Sequence, residues 1–72
     1  MIGDVVDLED ATGAYVGIVC QLQEDLWGWS VSHPANSARH RTGQSATTLE
    51  DALAQAILAG VDVGVVGLRR RG

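Results

Sequence analysis

Trp27, Trp29 and Val31 fall on one side of a period-two strand, with Gly28 and Ser30 on the other. Further along, Leu49, Ala52, Leu53, Ala56 and Ile57 recur at spacings of three and four, a single apolar stripe along a helix. These two features constrain the chain more than any other. Two large aromatics on one strand face need a cover, and a helix whose stripe includes alanines can approach a sheet closely. The expected architecture is α+β: a small antiparallel sheet of three to five strands with one helix packed on one face, ordered β-β-β-α with possible extra strands at both ends.

The helix has its own punctuation. Thr47-Thr48-Leu49-Glu50 fits a capping box in which the Thr47 hydroxyl accepts from the amide three residues on and Glu50 reaches back. Glu50 and Asp51 suit the positive end of the helix dipole, and Gly60 ends the helix. Val61, Val63 and Val65 then alternate like another strand, weakened by Gly64 and Gly67, and residues 69–72 read as a mobile basic tail. Upstream, residues 14–22 form a strand expected to turn Val16, Ile18, Cys20 and Leu22 to the core. The Gln23-Glu24-Asp25 corner makes a hairpin with the tryptophan strand. His33-Pro34-Ala35-Asn36-Ser37 makes a second turn, because proline lacks the donor a central strand requires, and residues 38–42 supply a short third strand. Residues 1–13 are acidic, with a turn signal at Asp10-Ala11-Thr12-Gly13, and are expected to be an arm or an edge strand.

At 72 residues the chain is one domain, 1–72, near the lower limit for a core without staples. Phe is absent, so the bulky core material is expected to be Trp27, Trp29 and Tyr15 with Val, Leu and Ile. So small a core predicts a homodimer, through a shared sheet edge or the tryptophan-bearing face. One cysteine, Cys20, cannot form an internal disulfide, and no secretory signal pattern opens the chain. No apolar run reaches the roughly 20 residues of a membrane span. The expectation is a cytoplasmic protein with no membrane partner.

No constellation points to catalysis, so the chain is expected not to be an enzyme and to carry no cofactor. His33 and His40 have no neighbours at zinc-ligand spacing, so no metal site is expected. Cys20, placed on an inward strand face, reads as an inert thiol. The Ser and Thr residues from 42 to 48 lack a nucleophile elbow, and helix capping accounts for them. Glu24-Asp25 and Glu50-Asp51 are adjacent pairs whose side chains diverge, unlike an acid and base pair. Trp27 and Trp29 lack the positive groove of a base-stacking platform, and read as packing residues.

Three stretches carry a family resemblance: Tyr15-Val16-Gly17-Ile18-Val19, then Trp29-Ser30-Val31-Ser32-His33-Pro34, then Gly43-Gln44-Ser45-Ala46-Thr47-Thr48-Leu49-Glu50-Asp51-Ala52-Leu53. Together they resemble the amino-terminal domain of HicB-type antitoxins over residues 14–60, a pattern shared with other small phage and mobile-element proteins of three strands and a helix. The resemblance implies a protein that occludes a partner protein without chemistry of its own. The chain departs from the family at Pro34-Ala35-Asn36-Ser37, where the family has Pro-Asp-Leu-Pro-Gly, and residues 61–72 offer no counterpart to the family's DNA-binding segment.

Net charge is −4, with Asp4, Asp7, Glu9 and Asp10 crowded at the start and all five arginines at or after Arg39. The functional expectation is a non-enzymatic protein-binding module, an antitoxin-like or anti-defence phage inhibitor of a host defence protein, toxin or replication factor. Its partner-binding residues are expected to be Asp4, Asp7, Glu9, Asp10, Glu24 and Asp25, since carboxylates mimic phosphate to a basic site and speed encounter. The alternative is a nucleic-acid-binding domain using Arg39, Arg41, Arg69, Arg70 and Arg71.

Overall fold

The computed structural model describes residues 5–33 and 35–71, with Ser37 and Arg39 described by backbone alone. Along the chain run β1 (Val5–Glu9), β2 (Tyr15–Gln23), β3 (Leu26–His33), β4 (Asn36–Ala46), α1 (Leu49–Ala59), a short 3-10 turn (Val61–Val63) and β5 (Gly67–Arg71). The strands form one antiparallel sheet in the order β4-β3-β2-β1-β5, and α1 lies across β2, β3 and β4 on one face. This is the expected α+β layer, with both optional strands present.

Register decides which residues meet the helix. Val31, Trp29 and Trp27 pair with Gly17, Val19 and Gln21, and Gly17 and Val19 pair in turn with Leu8 and Val6. Directly opposed residues share a face, so the core is Val6, Leu8, Val19, Trp27 and Val31 beneath Ala52 and Ala56. Leu8, Val16, Val19 and Val31 are its fully buried large side chains. Gly17 is required here: a Cβ would sit 2.5 Å from the Ser30 carbonyl oxygen and 2.9 Å from Val31 Cγ1.

This register reverses the expected orientation of β2. Ile18, Cys20 and Leu22 face away from the helix, and only Val16 of the expected inward set joins the core. It does so at an irregularity: Leu8 pairs with Gly17 but Glu9 with Tyr15, so Val16 is the extra residue of a bulge. Apolar residues occupy both faces of β2, so alternation alone does not choose between them; the tryptophans on β3 do.

Other elements also differ from expectation. Val5–Glu9 is an interior strand between β2 and β5, neither arm nor edge. The third strand is longer than residues 38–42 and ends at Ala46. The helix cap is Thr48, whose Oγ1 accepts from the Asp51 amide at 3.1 Å, one residue beyond the expected Thr47. Ile57, assigned to the buried stripe, is 42% exposed, and Tyr15, expected in the core, is 56% exposed at the start of β2. Gly60 does close α1, its amide donating to the Ala56 carbonyl. Residues 61–63 then turn instead of extending: Val63 is buried as a plug, Val61 is exposed, and Gly64 takes φ +79 to redirect the chain. The expected mobile tail is therefore a strand, with Arg69, Arg70 and Arg71 opposite Asp7, Val6 and Val5.

Candidate functional site

The sheet face opposite α1 has no covering element among the described residues, and each strand contributes differently to it. On β1 and β5 it carries charge. Arg71 sits opposite Val5 and reaches diagonally to Asp7, with Nε to Oδ2 at 3.0 Å and Nη2 to Oδ1 at 2.9 Å. Arg69, opposite Asp7, reaches Glu9 at 3.0 Å. The two hydrogen bonds that Arg71 donates to Asp7 raise the Arg71 pKa, first through hydrogen bonding and then through charge.

On β2 the open face is apolar, with Ile18, Cys20 and Leu22, and on β3 it is nearly flat, with Gly28 and Ser30. On β4 it turns polar, with Thr42 and Gln44. The difference in height leaves a shallow open groove of about 140 Å³ floored by Gly28 and Ser30, between Ile18, Cys20 and Leu22 on one side and Thr42 and Gln44 on the other. Leu22 leans over Gly28, where a Cβ would stand 2.9 Å from Leu22 Cδ1. The exposed carboxylates Glu24 and Asp25 occupy the turn that follows β2 at the Leu22 end.

The expected acidic site does not come together as one surface. Asp7 and Glu9 share their face with Arg71 and Arg69, which bind them. Asp10 Oδ1 is occupied by the Thr12 amide at 2.8 Å, the Thr12 hydroxyl at 2.6 Å and the Ala14 amide at 3.0 Å. Glu24 and Asp25 stand at the opposite end of β2 from Asp10, and Asp4 lies outside the described residues.

The arginine set divides as well. Arg41 lies on β4 and Arg69, Arg70 and Arg71 on β5, opposite edges of a five-stranded sheet, about 19 Å apart at normal strand spacing. Arg41 Nη1 donates to the Ala38 and His40 carbonyls; the Arg39 side chain lies outside the description.

Several residues have structural work. Trp27 is buried under α1, and Trp29 Nε1 donates to Gln55 Oε1 at 3.0 Å, with its indole over Gly43. The tryptophan face is thus covered by the chain's own helix. His33 Nδ1 accepts from the Ala35 amide and holds the β3–β4 turn. Cys20, expected inward, is half-buried on the open face. Among the described residues no three His, Cys, Asp or Glu side chains gather as a metal site, and no helix is long and apolar enough to cross a membrane.

The groove escaped sequence reasoning because it depends on β2 register and on small β3 residues, which become a floor only when flanked. No family model, curated protein or solved structure matches the chain.

Proposed function

We propose that this protein is a non-catalytic binding module that covers a surface of another protein with its open sheet face. The observation that carries this reading is the groove over Gly28 and Ser30, an apolar wall of Ile18 and Leu22 beside exposed Glu24 and Asp25. A flat sheet with an apolar strip and a charged end suits a protein surface that presents apolar side chains beside a basic group. Of the six carboxylates expected to bind, Glu24 and Asp25 carry the electrostatic part, because Asp7 and Glu9 are balanced by arginines. An inhibitor or antitoxin-like role follows from occlusion of the partner's working surface. Nucleic-acid binding is the weaker reading, since it needs one basic surface and the arginines occupy two edges.

The test is affinity capture from lysate with the tagged chain, with and without nuclease, read by mass spectrometry and repeated with L22D/Q44E. A stoichiometric, nuclease-resistant protein that is lost with the variant supports the reading. In that complex E24Q/D25N lowers affinity and flattens its salt dependence. Recovery of nucleic acid only without nuclease, abolished by neutralising Arg41 and Arg70, replaces it with the alternative.

A further inference from the structure

One helix cannot cover this sheet. Five strands span about 19 Å at normal spacing, whereas a helix with its side chains is about 10 Å wide. α1 rests on β2, β3 and β4; Val6 and Leu8 of β1 are buried in the core, and a hollow of about 200 Å³ is left beside the helix toward β5, lined by Val6, Leu68, Leu49, Leu53 and Arg70.

The helix is also too apolar for a solvated outer side. After Asp51 its only polar residue is Gln55, which bonds Trp29 on the flank away from the hollow. The flank toward the hollow carries Leu49, Leu53 and Ile57 as an i, i+4, i+8 row. Leu58 on the outer side is 78% exposed and Leu68 in the hollow 51% exposed. A helix apolar nearly all round belongs inside a further layer.

We propose that the layer is a second copy of this chain, docked helix side to helix side about a two-fold axis parallel to α1. Ridge and hollow lie side by side on the same face, so this operator, and not one perpendicular to the helix, seats each ridge in the other hollow. The result is a three-layer dimer of sheet, two parallel helices and sheet. The Leu49, Leu53 and Ile57 rows meet at the axis, and Leu58 lies over Leu68 of the partner copy. Charge agrees with this arrangement: helix N-termini fall at the same end, where Arg70 borders the hollow, so Glu50 and Asp51 approach Arg70 of the partner copy. Size permits it: a molecule of 33 × 24 × 18 Å presents faces large enough for the roughly 800 Å² that a standard interface takes from each partner. Both open sheet faces point outward, so the dimer stands or falls independently of the proposed binding function.

Sedimentation equilibrium of the full chain tests it. The expected mass is twice 7.6 kDa, and I57E/L58E, at two exposed positions, keeps the circular dichroism of the fold while raising the dimer dissociation constant at least 100-fold. Under oxidation C20S/I57C links into a covalent dimer across the axis, whereas C20S/S45C, on the β4 edge, does not. A monomeric chain at high concentration overturns the proposal. So does a dimer indifferent to I57E/L58E, or one that links at residue 45 instead of 57, either of which marks pairing through a strand edge.

Discussion

The Asp10 carboxylate accepts from the Thr12 hydroxyl, the Thr12 amide and the Ala14 amide, which lowers its pKa below the ordinary 3.8. The Thr12 hydroxyl contributes most, and His33 adds a smaller coulombic part. A carboxyl depressed in the folded state contributes stability above its unfolded pKa and loses it as pH falls through the folded value. The β1–β2 turn should therefore weaken only below about pH 3.8, and D10N should remove that acid-dependent part. Urea unfolding of both proteins between pH 2 and 6 checks this; parallel pH profiles would refute it. This turn was legible in Asp10-Ala11-Thr12-Gly13 because all its donors and acceptors lie within five residues, with Gly13 at φ +82. The orientation of Cys20 was not legible, because it depends on which residues of β3 and β1 stand opposite.

At the scale of elements, β5 is the instructive case. Arg69, Arg70 and Arg71 look like a solvated tail, and Glu9 and Asp7, which pair with Arg69 and Arg71, lie at the other end of the chain. Among the described residues β5 pairs in the sheet with β1 alone, so one ladder of backbone bonds and the ion pairs of Arg69 and Arg71 tie it to that strand. In D7N/E9Q the amides of residues 67–71 should exchange several-fold faster while those of α1 keep their rates, as measured by hydrogen exchange and NMR. Equal protection in both proteins would mean that the ladder alone suffices. The helix, by contrast, was legible from local signals, its stripe and Gly60 stop, and its start was displaced by one residue because two adjacent threonines offer equivalent hydroxyls.

At the scale of the whole molecule the core is thin: among the described residues the large fully buried side chains are Leu8, Val16, Val19 and Val31, all from strands, with Ala52 and Ala56 of α1 above them. A chain of 72 residues has a stability of roughly 4–11 kcal/mol. Leu8→Ala removes a fully buried side chain from an interior strand and should cost about 2–5 kcal/mol, a large share of the total. Denaturant titration should show a matching fall in midpoint at constant slope, and a loss under 1 kcal/mol would mean that β1 lies outside the cooperative unit. The sequence by itself determined the α+β class, the tryptophan strand, the helix and the Asp10 turn, because each rests on periodicity or on bonds among near neighbours. Only the tertiary structure decided the face of β2, the open groove and the fate of the arginines. Those depend on cross-strand register and on partners as far apart as Asp7 and Arg71, and a period-two pattern with apolar residues on both sides leaves that register undetermined until the strands meet.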